Sequence, residues 1–217
     1  AGQIAAVAAD MGVDAAKTGM LASAEIIHEV ADACDDAGIG RDARVPFVVD
    51  PVAASMTGHP LFDDGGLTAL RERLLPRATV LTPNLDEVRL LTGMDVTGRA
   101  QMRDAALALH DLGPRYVLVK SGHLVQDREC VDLLYDGSEF VELPGPRHDT
   151  PHTHGAGDAM ASALTAGLAR GMSVVDAARF AKAFVTKAVE HSYPMGAKIG
   201  PVSAFWRLAP EESAGDA

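Results

Sequence analysis

Apolar and polar residues follow two alternating patterns along this chain. Some stretches place apolar residues every three or four positions, as amphipathic helices do, and others are short, dense apolar runs typical of buried strands. Because strands and helices alternate with short connections, we expect an α/β fold with a mostly parallel sheet. The pattern predicts helices at 4–11, 23–37, 67–75, 85–91, 102–112, 156–170 and 173–192, and strands at 13–18, 46–49, 78–81 and 116–120.

Local signals refine two of these elements. Ser23 is a suitable N-cap for the helix that follows it, and residues 130–143 are typical of a β-hairpin with Asp136 and Gly137 at the turn. The side of the Ser23 helix that we expect to be buried consists of Ile26, Ile27, Val30, Ala33 and Cys34.

The composition excludes several classes of function. With 217 residues, 47% of them hydrophobic, the chain has the size of one domain with a substantial core. Its net charge of −11 argues against a general binder of nucleic acid or anionic membranes, and no apolar run reaches the roughly 18 residues of a membrane span. The first residues lack the pattern of a signal peptide. Cys34 and Cys130 show no CxxC spacing, so we expect no disulfide framework, no zinc site and a cytoplasmic setting.

Polar residues follow three of the predicted strands. Asp50 ends the first, Asn84 and Glu87 follow the second, and Lys120 ends the third. In a doubly wound parallel sheet ligands bind beyond the carboxyl ends of the strands, so these side chains should gather along one edge. Each also has a structural interpretation: Asp50 as a turn residue, Asn84 and Glu87 as a helix-capping pair, and Lys120 as a solvated side chain.

A glycine-rich turn precedes the helix predicted at 156–170. Gly155 and Gly157 allow a tight backbone, and the helix N-terminus behind them offers unpaired N–H groups for an anion. Asp158 would repel that anion, so a base that takes a proton from an attacking hydroxyl suits it better. The alternative is a helix-capping aspartate after a flexible loop.

In order and spacing, these segments resemble the ribokinase-like kinases, and more closely the hydroxymethylpyrimidine/phosphomethylpyrimidine kinases of thiamine biosynthesis. The form Lys17-Thr18-Gly19-Met20-Leu21 and the form Thr153-His154-Gly155 favour the pyrimidine kinases over sugar kinases. The matching segments are 13–21, 49–52, 74–87, 117–123, 153–162 and 200–202.

The resemblance implies a ribokinase-like α/β fold, with a mostly parallel central sheet flanked by helices on both faces. It implies MgATP-dependent phosphorylation of 4-amino-5-hydroxymethyl-2-methylpyrimidine and, in many members, of its monophosphate. It further implies that Asp158 acts as the base and that the amides of Gly155, Ala156 and Gly157 stabilise charge on the transferred group. Met20 and Val52 would contact the pyrimidine, and Lys120 and Thr153 would contact the nucleotide. Asp50 and Glu87 would hold Mg²⁺, mostly through water.

The chain departs from the family pattern at two positions. Many pyrimidine kinases carry a cysteine where this chain has Asp158, and the aspartate is shared with pyridoxal and sugar kinases. A lysine is expected near Met56, where this chain has none. Two alternatives therefore stay open: a pyridoxal or sugar kinase of the same fold, or a noncatalytic ligand-sensing domain. Intact Asp50, Glu87 and Asp158 count against the sensing domain.

The resemblance also bears on domain organisation. Family members carry a further N-terminal segment, with a first strand and glycine-rich substrate contacts, that nothing in this chain matches. We expect residues 1–208 to form a single ribokinase-like kinase domain without that strand region, and residues 209–217 to be a disordered tail. Family members are often dimers, and nothing in this sequence decides whether the chain forms a homodimer. His148, His152 and His154 lack the partners of a metal site, and we expect no catalytic role for His154.

Overall fold

A computed structural model describes residues 1–52, 65–124 and 128–208. Within these ranges the chain alternates between strands and helices, as its pattern predicts. The residue near Met56 and the tail at 209–217 lie outside the described residues. The helices are α1 (Gly2–Asp10), α2 (Ala24–Asp36), α3 (Gly66–Ala69), α4 (Leu85–Thr92), α5 (Arg99–His110), α6 (Ala156–Ala169) and α7 (Val174–Glu190), and the strands are β1 (Ala16–Thr18), β2 (Phe47–Val49), β3 (Val80–Leu81), β4 (Tyr116–Val119), β5 (Asp132–Tyr135) and β6 (Phe140–Leu143).

The six strands form one sheet in the order in which they occur along the chain. β1 to β4 pair in parallel, whereas β5 pairs with β4, and β6 with β5, in antiparallel fashion. The last two strands are the predicted hairpin, and its turn holds Gly137 at φ +96°. Asp136 Oδ1 accepts the N–H of Ser138 at 2.8 Å and that of Glu139 at 2.6 Å, which closes the turn. The predicted, mostly parallel α/β fold is confirmed.

Helices cover both faces of the sheet. Because each parallel crossover moves to the next strand in the same direction and with the same hand, the connecting helices α2 to α5 lie on one face. Their apolar side chains form a core cluster with Phe47, Val49, Leu81 and Val117. Helices α6 and α7 pack on the opposite face, against Val48, Val80 and Leu118. Alternate residues of β2 to β4 therefore serve two separate cores, as the period of a strand requires.

Side-chain caps fix the starts of three helices. The Ser23 hydroxyl accepts the N–H of Ile26 at 3.3 Å, as predicted, and Ser173 accepts that of Asp176 at 3.1 Å. Asn84 accepts the N–H of Glu87 at 2.9 Å, and the Glu87 carboxylate accepts the N–H of Asn84 at 2.8 Å, which makes a complete capping box.

The sequence misjudged two helical segments. Ile26 is 43% exposed and Ala31 is fully buried, so α2 packs on the core with a different side from the one that its apolar stripe indicates. The segment predicted at 67–75 begins as α3, continues as a π-helical turn at Leu70–Leu74 and ends as a 3₁₀ turn at Leu75–Arg77. Pro76 has no N–H to donate and ends the segment.

Cys34 on α2 leads to a prediction about alkaline stability. Its side chain is 3% exposed, and burial, reinforced by Asp35 and opposed by Arg77, raises the pKa of the thiol from 9.0 to about 11. Between these two pH values the unfolded chain has lost the thiol proton and the folded chain keeps it, so the free energy of unfolding should fall as pH rises. The loss from this group is at most about 3 kcal/mol. Urea titrations at pH 8 and 10.5 measure it.

Cys34→Ala should remove that part of the pH dependence, and Cys130→Ala, at a half-buried position, is its matched control. An equal alkaline loss of stability in wild type and Cys34→Ala would contradict the prediction.

Candidate active site

The carboxyl ends of the parallel strands lie side by side, as the sequence predicts. The backbone pairing of the sheet continues past the strands: Asp50 N–H donates to Thr18 O at 3.3 Å, Thr82 N–H to Val49 O at 3.0 Å, and Lys120 N–H to Pro83 O at 2.9 Å. The polar residues that follow β2, β3 and β4 are therefore held in fixed register on one edge of the sheet.

Asp50 and Lys120 form a buried ion pair at this edge. Lys120 Nζ lies 2.8 Å from Asp50 Oδ1, and their side chains are only 11% and 3% exposed. The Thr82 hydroxyl donates to the same oxygen at 2.8 Å. Burial lowers the pKa of Lys120, but the charges of Asp50 and Glu87 and the hydrogen bond to Asp50 outweigh it, so the pKa lies above the ordinary value. Lys120 is therefore a fixed positive charge at neutral pH.

Glu87 lies close enough to act on that charge. It is 5% exposed and belongs to the capping box of α4, so the structural interpretation of Asn84 and Glu87 is correct for both residues. Capping occupies Oε2 of the carboxylate without removing its charge. Glu87 thus contributes a second negative charge to the surroundings of Lys120.

The glycine-rich turn lies against the strand ends and opens α6. Gly155 is the N-cap residue at φ +84°, a left-handed conformation that favours glycine. Ala156 N–H donates to Thr153 O at 3.1 Å, while Gly157 and Asp158 lie in the first helical turn, whose N–H groups have no acceptor inside the helix. A Cβ on Gly157 would stand 3.2 Å from Lys120 Nζ. The N-terminus of α6, where we expect an anion to bind, therefore lies next to the Lys120 ammonium.

A backbone contact with the C-terminal part of the chain anchors the same turn. His154 N–H donates to Gly200 O at 3.2 Å, and Val202 N–H donates to His154 O at 3.0 Å. His152 Nδ1 accepts the N–H of Gly200 at 2.9 Å. The His152 ring and the His154 backbone therefore hold the turn against residues 200–202.

Lys17 is a member of the site that sequence reasoning did not single out. It lies on β1, and its Nζ contacts Asp158 Oδ1 at 2.8 Å across 141 residues of sequence. The Lys17 side chain is 23% exposed and that of Asp158 is 67% exposed, so the carboxylate remains open to solvent on its other side. The motif at 17–21 was the only local signal, and it carried no hint of this partner.

A second buried ion pair supports the strand end that carries Lys120. Asp132 Oδ1 accepts the N–H of Ser121 at 2.7 Å, and its other oxygen lies 2.8 Å from Lys182 Nζ on α7. Both charged side chains are less than 10% exposed. Because α7 packs on α6, this pair connects the end of β4 with the helix layer that carries the anion-binding turn.

The remaining predicted residues lie around this centre. Met20, three residues after Lys17, is 59% exposed, and Val52 is half-buried just beyond Asp50. Thr153 is exposed at the start of the turn. The structure brings the strand-end residues and the turn together, and it leaves Met20 and Thr153 with surfaces that a ligand could cover.

Within the described ranges, no cluster of three or more His, Cys, Asp or Glu side chains could hold a metal ion. Two buried carboxylates, Asp50 and Glu87, are nevertheless a donor set that suits Mg²⁺, which keeps several waters and shares phosphate oxygens with its substrate. None of the helices in the described part of the chain has the length and apolar character needed to cross a membrane.

This arrangement can be compared with known proteins. The family model described as phosphomethylpyrimidine kinase matches residues 1–203. The chain belongs to this family. It is 49% identical, over 95% of its length, to the hydroxymethylpyrimidine/phosphomethylpyrimidine kinase of Mycobacterium leprae, and it spans 74% of that protein. The resemblance found in the sequence is thereby confirmed, and the chain is a phosphotransferase.

Solved structures of similar fold are also kinases. The ADP complex of Bacillus subtilis pyridoxal kinase has a TM-score of 0.84 and 38% identity, covering 95% of this chain and 76% of its own. Staphylococcus aureus pyridoxal kinase in complex with AMP-PCP and pyridoxal has a TM-score of 0.84 and 34% identity, covering 96% and 73%. The ribokinase-like fold class predicted from the sequence is therefore correct.

Proposed function

We propose that this kinase transfers the γ-phosphoryl group of ATP to the hydroxymethyl group of 4-amino-5-hydroxymethyl-2-methylpyrimidine, and then to the resulting monophosphate. The observation that carries the proposal is the meeting of Asp158 and the α6 N-terminus with Lys120 and Asp50 at one sheet edge. The identity of 49% to a kinase named for both pyrimidine substrates supports the choice of acceptor. The proposed unit is residues 1–208 as a single kinase domain that works in the cytoplasm.

The first transfer needs a base, an anion site and an in-line acceptor. The substrate hydroxyl gives its proton to the Asp158 carboxylate while its oxygen forms a bond to the γ-phosphorus. The bond from that phosphorus to the bridging oxygen breaks, and ADP leaves with the electron pair. The Gly155 and Gly157 amides and the Lys120 ammonium stabilise charge on the transferred group, and such positioning and electrostatics dominate phosphoryl transfer. The Ala156 amide, predicted for the same role, donates to Thr153 O instead. Met20 and Val52 would contact the pyrimidine ring, and Thr153 would contact the nucleotide.

Asp50 and Glu87 are the residues that would hold Mg²⁺, mostly through water. The metal ion, when bound, would neutralise charge on the nucleotide phosphates. Thr82 and Lys120 both donate to Asp50 Oδ1 and thereby fix the direction of its carboxylate. This would orient Asp50 for Mg²⁺ before the ion binds.

Pyridoxal phosphorylation is the second candidate function. It is favoured by the pyridoxal kinases among the similar structures. Identity is higher to the M. leprae pyrimidine kinase, at 49%, than to these two, at 38% and 34%. This supports the pyrimidine as the acceptor that we propose.

The test is a coupled assay of ADP release with MgATP and four acceptors: the hydroxymethylpyrimidine, its monophosphate, pyridoxal and ribose. We expect strong turnover of both pyrimidine forms. Turnover of pyridoxal or ribose alone would support phosphoryl transfer at this site but contradict the pyrimidine as its substrate. Binding of ATP without turnover of any acceptor would favour the ligand-sensing domain.

A further inference from the structure

The two lysines of the site differ in their surroundings. Lys120 is nearly buried, and two carboxylates, Asp50 and Glu87, hold its charge in place. Lys17 contacts Asp158, whose side chain is largely exposed, and it lies on the far side of β2 from β4. Two ammonium groups therefore lie beside the turn at 155–157. That of Lys120 is buried and held by carboxylates, and that of Lys17 contacts the proposed base, Asp158.

The two proposed transfers make different chemical demands on this pair. In the first, the attacking group is an alcohol, which must lose a proton to a base. In the second, the attacking group is a phosphate oxygen, which is already mostly ionised at neutral pH because the second pKa of a phosphate monoester is about 6. The second transfer therefore needs little help from a base. It needs a cation instead, since a dianion has to approach both ATP and the Asp158 carboxylate.

We infer that Lys17 is the ligand of the acceptor's own phosphate group in the second transfer, an inference that rests on the proposed function. The Lys17 ammonium stays in contact with Asp158 while the neutral alcohol reacts. When the monophosphate is bound, the ammonium contacts the phosphate group instead. Met20, three residues along the chain and 59% exposed, is the residue proposed to contact the acceptor ring, which would place that ring near Lys17. The phosphate oxygen attacks the γ-phosphorus, the bond to the bridging oxygen breaks, and ADP leaves with the electron pair without proton transfer from the attacking oxygen.

Variants of Lys17 and of Asp158 should change the preference between the alcohol and the monophosphate in opposite directions. Lys17→Met should lower kcat/KM for the monophosphate about 10-fold more than for the alcohol, because a charge-assisted hydrogen bond to phosphate is lost. Asp158→Asn should show the reverse preference. Lys17→Arg keeps the cation and should recover most of the loss on the monophosphate.

The experiment measures ADP release with each acceptor on one preparation of each variant, so that any loss of folded protein cancels in the ratio. Lys187→Met, which removes an exposed lysine paired with Glu190 on α7, is the matched control and should leave the ratio unchanged. Equal losses on both acceptors in Lys17→Met would overturn the inference, as would wild-type turnover of the alcohol without the monophosphate. No wild-type turnover of either pyrimidine would contradict the proposed function itself.

Discussion

Replacing Asp158 by alanine or asparagine is expected to reduce turnover of the hydroxymethylpyrimidine by about 10² to 10⁴-fold, the usual contribution of a general base. Asparagine keeps the shape of the side chain but cannot take up the proton of the attacking hydroxyl. Nucleotide binding should change little, because Asp158 points to Lys17 and not to Lys120. Steady-state kinetics with the alcohol and calorimetric titration with ATP separate the two effects.

The matched control for this change is Asp104→Asn, which alters an exposed aspartate on α5 away from the strand ends. It should leave both turnover and ATP affinity at wild-type values. Turnover of Asp158→Asn within threefold of wild type would remove Asp158 as the base and leave the anion-binding turn as the main catalytic feature.

Lys120→Met is expected to reduce both activity and stability. The loss of a fixed cation facing the α6 N-terminus should lower kcat/KM for ATP by about 10² to 10³-fold, as removal of one group that stabilises transition-state charge does. The buried Asp50 would lose its cationic partner and keep only the Thr82 hydroxyl, and breaking such a pair costs about 3–5 kcal/mol of folding free energy. Urea unfolding measures the loss of stability. ATP kinetics, recorded well below the temperature at which the variant unfolds, measure the loss of activity.

A double variant separates the two roles of Lys120. Lys120→Met combined with Asp50→Asn removes both charges, so it should regain most of the stability and remain nearly inactive. Lys187→Met again serves as the control for loss of a lysine. If the double variant were no more stable than Lys120→Met alone, the buried ion pair would not be the cause of the stability loss. Near-normal ATP kinetics in Lys120→Met would contradict the assignment of Lys120.

The local features of this protein followed from its sequence. The periods of apolar residues predicted the strands, and a parallel sheet places the residues after β2 and β4 on one edge, so Asp50 and Lys120 could be expected to meet. Capping at Ser23 and Asn84 involves residues three positions apart, and the tight backbone expected at Gly155 takes a left-handed conformation in the structure.

Tertiary packing alone determined the contacts between distant side chains. Lys17 and Asp158 are 141 residues apart, and Asp132 and Lys182 are 50 apart, so no periodic pattern could pair them. Whether Ile26 or Ala31 faced the core depended on how α2 packs against the rest of the core. The spacing of apolar residues is a local property of the sequence, and it determines where helices and strands form. The partner of a charged side chain depends instead on which helices and strands pack together. The sequence thus determined the sheet edge and pointed to Asp158 as the proposed base, and the fold decided that Lys17 is the cation in contact with it.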